Sequence, residues 1–234
     1  MGLFAISLMT CGLSIAAPGA DSLMMVERIQ GTGQVKILHE GKKRIAQAGE
    51  TLEANEIVET DQKSAVRLVA EDGTHQTLGP STRFSILAKD GTALSTELLS
   101  GAALIKVEKP EGTPRYRYFI RTPAAVIGVR GTEFAVEHDP KNGFAVHTLE
   151  GKVDVGQDIG LLRKGKGQSL LRAEALRGSN GKLEPKEKFS EAEFRKDFEA
   201  RHPGVTKLHG MKVENQNKLQ SKNEKPERKN KHRK

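Results

Sequence analysis

Between Val26 and Leu171 apolar and polar residues exchange places at every second position, in runs too short to serve a helix. Val35 and Ile37 alternate with Gln34 and Lys36, Val66 and Leu68 with Ala65, Arg67 and Val69, and Phe84 and Ile86 with Arg83 and Ser85. Ala103, Ile105 and Val107 alternate with Leu104 and Lys106, and Val153 and Val155 share a face opposite Lys152 and Asp154. A period of two puts successive side chains on opposite faces of an extended backbone, so each run reads as a half-buried strand. Between the runs stand Glu40-Gly41, Gly49, Asp72-Gly73, Asp90-Gly91, Ser100-Gly101, Asn142-Gly143 and Glu150-Gly151. Glycine, alone or after Asp or Asn, supplies the positive φ of tight turns. The expected fold is all-β: many short strands joined by glycine turns, arranged as a β-sandwich or a solenoid-like roll.

The stretch from Phe119 to Val136 has the strongest local content. A strand through Ile120 breaks at Thr122-Pro123, because proline lacks an amide hydrogen and cannot continue a central strand. After a short apolar run the strand restarts through Phe134 and Val136, while Gly128 and Gly131 flank Val129 and Arg130. Paired glycines there predict a tight turn or a close approach of another chain segment. Upstream, Tyr116, Tyr118 and Ile120 are expected on one face and Arg115, Arg117 and Arg121 on the other.

The elements Thr122-Pro123, Val129-Arg130-Gly131-Thr132-Glu133-Phe134, Asn142-Gly143 and Leu149-Glu150-Gly151-Lys152-Val153, with Glu71-Asp72-Gly73-Thr74 before them, closely resemble the FecR-domain family over about Ile57 to Gly156. Thr122, Pro123, Gly128, Arg130, Gly131, Thr132, Phe134 and Gly151 carry the resemblance. In FecR-type regulators this domain lies outside the inner membrane, behind a cytoplasmic segment that controls a sigma factor and one transmembrane helix. Neither of those parts is recognised in this sequence, so the resemblance implies a periplasmic β module that makes protein contacts and does not carry sigma control with it.

Charge is unevenly placed. The chain of 234 residues has a formal net charge of +8, and ten Lys or Arg against three Glu between Lys207 and Lys234 supply +7 of it. The body is therefore near neutral, and any attraction to polyanions belongs to the tail. Leu3 to Ala17 is mostly apolar and ends in small residues before Pro18-Gly19, as a secretory signal does, although no Lys or Arg precedes it. A buried N-terminal element and a lipoprotein box at Cys11 are the lesser alternatives. Cys11 is the only cysteine, so no intramolecular disulfide can form.

The expected organisation is a signal peptide over 1–20, the β domain over 21–178, a linker over 179–188, a helix over 189–202 and a disordered basic tail over 203–234. For the helix, Ser190 is the cap, Glu193 closes a capping box, and Phe189 and Phe194 stand at staple positions. Phe194 and Phe198 then share one face, which a helix of about three turns must pack to persist.

No nucleophile elbow, phosphate loop, zinc-protease helix or cysteine metal motif is present, and the seven His are scattered. The sequence thus predicts no enzyme, no cofactor and no metal. Asp72 and Asp90 are explained by their turns. Arg130 has two readings: its five donors tie carbonyls of the bent loop together, or two glycines present it to a partner's carboxylate or phosphate. Its place inside an apolar run favours the first. Arg115, Arg117 and Arg121 around Phe119 are either a solvated strand face or an anionic-partner surface.

Taken together, these features predict an exported, non-enzymatic envelope module that binds or scaffolds an envelope protein, in signalling among other roles. The alternative is a structural protein that grips anionic lipid or polymer through its tail. Nucleic acid is disfavoured by the export signal and by the lack of stacking aromatics after Phe198.

Overall fold

One strand, β9 (Ala93–Val107), belongs to both layers of the fold. A computed structural model describes residues 22–91, 93–109, 116–179 and 182–210. The first half of β9 pairs with β8 (Arg83–Asp90) and, in parallel, with β10 (Tyr118–Thr122). Its second half pairs with β7 (His75–Leu78) and β12 (Thr132–Asp139). The strand was expected to end in a turn at Ser100-Gly101. It instead runs through Gly101, whose φ of +97° bends it from one layer to the other. A Cβ there would stand 2.4 Å from Thr82 Oγ1, so only glycine fits the corner.

From β9 each layer extends in both directions. The first runs β4 (Thr51–Leu52), β1 (Met24–Gly31), β6 (Ser64–Ala70), β7, β9, β12, β13 (Gly143–Glu150) and β16 (Glu174–Ser179), with the short β17 (Lys182–Leu183) and β18 (Glu187–Lys188) against β16. The second runs β3 (Lys42–Ile45), β2 (Val35–His39), β5 (Ile57–Thr60), β8, β9, β10, β11 (Ala125–Val129), β14 (Lys152–Gly156) and β15 (Gln168–Leu171). The all-β expectation holds, in its sandwich form.

The alternation explains the main core. Val35, Ile37, Val66, Leu68, Phe84, Ile86, Ala103, Ile105, Val107, Val153 and Val155 all point between the layers into one apolar cluster. Every residue of β6 is nevertheless buried, because helices cover the outer face of the first layer. Small side chains on that face (Ala65, Ala102 and Ala135) leave room for Phe194 and Phe198 of α2 (Glu191–Arg201) and for Val205 and Leu208 of α3 (Val205–His209). Ser190 caps α2, and the Phe189 and Phe194 rings lie 5.3 Å apart, as a hydrophobic staple requires. Glu199 accepts hydrogen bonds from the amides of Gly204 (2.6 Å) and Thr206 (2.9 Å), joining α2 to α3.

Two expected boundaries move. The 179–188 linker contains β17 and β18, which extend the first layer. Residues 203–210, expected as the start of a disordered tail, belong to the fold, because Val205, Leu208 and His209 are buried in it. The predicted signal peptide, Cys11, Arg115 and the tail beyond Gly210 lie outside the described residues. No helix among the described residues is long and apolar enough to cross a membrane.

Candidate functional site

The Val129-Arg130-Gly131-Thr132 and Leu149-Glu150-Gly151-Lys152 phrases lie side by side at two of the places where the chain crosses between layers. At Gly131 it leaves β11 in the second layer for β12 in the first; at Gly151 it leaves β13 in the first for β14 in the second. Both glycines have positive φ, +64° and +79°. A Cβ on Gly151 would meet the carbonyl oxygen of Gly131 at 2.5 Å, so the two crossings pack backbone on backbone. Thr132, buried, donates from Oγ1 to the Lys152 carbonyl at 3.1 Å and ties one crossing to the other. Phe134 follows in the core between the layers.

The preceding hairpin is equally determined. Pro123 occupies the two-residue turn between β10 and β11, and the Thr122 hydroxyl accepts from the amides of Ala124 (3.3 Å) and Ala125 (3.1 Å). Gly128 lies beneath two rings: a Cβ there would stand 2.9 Å from Tyr116 Cδ1 and 3.1 Å from Phe119 Cε1. Arg130 departs from the carbonyl-tying role expected of it. Its Nε is buried with no hydrogen-bond partner among the described residues, and the crossings are held by Thr132 and the glycines instead.

Residues 56–154 match the family model described as FecR protein. The chain carries a FecR domain. The matched span runs from the start of β5 into β14 and contains both crossings, while β1 to β4, β15 to β18 and the helical layer on the first sheet fall outside it. The fold is similar to that of a candidate anti-sigma factor from Parabacteroides distasonis, with 20% identity and a TM-score of 0.50 over 61% of this chain and 64% of that one. A second crystal structure with the same description matches at 21% identity and a TM-score of 0.48, over 59% and 62%. The likeness thus spans less than two thirds of those chains. A comparison with curated proteins finds no match.

Of the expected ridge of Arg115, Arg117, Phe119 and Arg121, the described members Arg117, Phe119 and Arg121 do not share one exposed surface in the FecR domain. Phe119 is 1% exposed, packed with Tyr116, Val126 and Leu162 of α1 (Ile159–Arg163) on the outer face of the second layer. The alternation slips before β10 begins, which puts Tyr116 beside Phe119 on the outer face and leaves Tyr118 in the core. Arg117 is held by the Asp72 carboxylate at 2.7 Å. Burial acts to raise the Asp72 pKa, but hydrogen bonds from Arg117 and Thr74 outweigh it and hold the carboxyl below its ordinary value. Arg121 is exposed, in register with Glu97 across the parallel pair.

A cleft of about 910 Å³ opens beside α2, lined among others by Glu137, His138, His147, Arg177, Arg201 and His202. Several of its charged groups are already engaged. Arg201 and His202 both contact the Glu137 carboxylate, and Arg177 lies 3.3 Å from Glu187. Among the described residues no three His, Cys, Asp or Glu side chains are grouped to hold a metal ion.

What sequence reasoning missed lies under the helices. Arg67, 1% exposed, pairs through Nε with Glu27 at 2.9 Å and donates from a terminal nitrogen to the carbonyls of Leu208 (3.0 Å) and His209 (3.1 Å). A cation at a helix C-terminus satisfies carbonyls that the helix itself cannot. The His209 ring packs 4.8 Å from that of His75 and shares a hydrogen bond of 3.2 Å with Thr77. Burial, then the nearby charge of Arg67, lowers His75 to about 4, while burial, then His75 and Arg67, keeps His209 well below its ordinary value. Nothing in the alternation marks Arg67 as buried, because its covering comes from a segment 141 residues away.

Proposed function

We propose that this protein is a non-enzymatic regulatory module of the cell envelope, exported by its N-terminal segment, whose FecR domain holds another protein. The match of residues 56–154 to the FecR family carries the reading, because it falls on the part of the sandwich where the two crossings lock together. Each signature residue other than Arg130 is committed to a turn, a ring contact or the core. That commitment supports a scaffold in place of a reaction centre. The likeness to a candidate anti-sigma factor supports a place in signalling.

Crosslinking in intact cells, comparing the full chain with one ending at Gly210, tests the reading. Capture of a defined protein by both forms is expected. Association that disappears with residues 211–234 and is abolished by salt would overturn it in favour of a tail that grips anionic polymer or lipid. A truncation from Lys207 would not serve, since it removes Leu208 and His209 from the fold.

A further inference from the structure

We infer that β3 is the docking edge for an extended acidic segment of a partner protein, which adds to the second layer as one more strand. This rests on the protein-binding reading above and names its surface and the chemistry of its partner.

The backbone of β3 leaves the necessary groups open. The strand pairs on one side only, with β2, in the register Lys36↔Ile45, Ile37↔Arg44, Leu38↔Lys43 and His39↔Lys42. The Ala46 amide donates to the Val35 carbonyl at 2.9 Å, which fixes the alternation of bonded and non-bonded pairs. Arg44 and Lys42 therefore turn their backbone groups toward β2, and Lys43 and Ile45 turn theirs away. The N–H and C=O groups of those two residues have no partner among the described residues, and all four residues of β3 are exposed.

The other edges are partly capped or shorter. At the far end of the second layer, the outward amide of Leu171 on β15 is taken by Glu174 Oε2 at 2.9 Å, and Lys186 holds that carboxylate at 3.0 Å. The first layer ends in β4 and in β17 and β18, each of two residues.

Side chains select the occupant. Lys36, Leu38, Lys43 and Ile45 share one face of the hairpin, because cross-strand partners point the same way. Ile45 is 50% exposed and, with Leu171, one of two large hydrophobics exposed among the described residues. Lys42 and Lys43 make no ion pair among the described residues, whereas Arg44 is already bonded to Glu50 and Glu56. Lysines on an edge repel an identical edge, so a second copy pairing through β3 is opposed by its own charge. An incoming strand with a carboxylate opposite Lys43 and a branched apolar residue opposite Ile45 meets complementary charge and an apolar neighbour.

The probe is an acetylated, amidated octapeptide of sequence Thr-Glu-Thr-Val-Thr-Glu-Thr-Val, with a control in which lysine replaces both glutamates. The expected result is binding that weakens with salt, new hydrogen-exchange protection at the Lys43 and Ile45 amides, and no binding of the control. Lys43→Pro removes an outward donor without touching the β2 pairing and should weaken binding at least about tenfold, while Lys43→Glu should reverse the preference between the peptides. Absence of binding, protection elsewhere, or unchanged affinity in both variants would overturn the inference. Repeating the cellular crosslinking with Lys43→Pro separates the two readings. A partner captured as by the native chain sinks only the β3 assignment, and no captured partner in either form sinks the protein-binding reading itself.

Discussion

Lowering the pH from 7 to 5 should loosen the helical layer, and His147 is where the effect can be measured at one residue. The imidazole is buried, stacked on Phe194 with centroids 4.3 Å apart and edge-on to Phe189 at 5.2 Å, and its Nδ1 has no hydrogen-bond partner among the described residues. Burial opposes the charged form and brings its pKa from 6.5 to about 4; Glu137 acts against the shift, Arg177 and Arg201 with it. Because the folded value is depressed, the unfolded chain binds more protons between the two values. The stability linked to His147 is then complete above about pH 6.5 and is lost as pH falls toward 4. At roughly 1.4 kcal/mol per unit the whole loss is about 3 kcal/mol, of which about 2 has gone by pH 5. The depressed carboxyls of Asp72 and Glu137 lose their contributions at lower pH, so pH 5 isolates histidine. His147→Leu keeps an apolar contact with the Phe rings and removes the titration. Urea unfolding followed by circular dichroism should show the variant losing about 2 kcal/mol less than the native protein between pH 7 and 5. Equal losses in the two proteins, or an NMR titration of His147 near 6.5 in the folded state, would refute the reasoning.

Other perturbations probe the remaining parts of the fold. Arg67→Met removes the cation paired with buried Glu27 and the donor to two helix carbonyls and should cost about 3–5 kcal/mol, with hydrogen exchange rising first in α2 and α3. Gly128→Ala forces a methyl group against Tyr116 and Phe119 and should lower the urea midpoint by the equivalent of about 1–3 kcal/mol. Arg130→Met removes a guanidinium whose Nε has no hydrogen-bond partner among the described residues, and the melting temperature should stay within the change expected of about 1 kcal/mol. A chain ending at Gly210 should unfold like the full chain in calorimetry, whereas one ending at Thr206 loses Leu208 from the core under the helices and about 2–5 kcal/mol with it.

The period of two was legible because a strand's faces alternate whatever surrounds it. The residues so marked in β2, β6, β8, β9 and β14 all reached the main core. The Thr-Pro break and the cap and staple of α2 were legible for a similar reason, being contacts between residues a few positions apart. Gly101, Gly131 and Gly151 announced positive φ but not its use: local sequence cannot distinguish a hairpin from a strand that bends into the opposite layer.

Composition and alternation alone determined an all-β body with a near-neutral surface and a basic end, since those follow from backbone geometry and side-chain charge. Tertiary structure decided which side chains lost their water. Phe119 moved under α1, Arg67 under α3, and Val205, Leu208 and His209 joined the fold at the edge of a segment that reads as tail. It also decided which edge stayed open, capping the Leu171 amide of β15 with Glu174 and leaving β3 bare. Burial and strand pairing join residues far apart in the chain, and a pattern with a period of two residues carries no record of such partners.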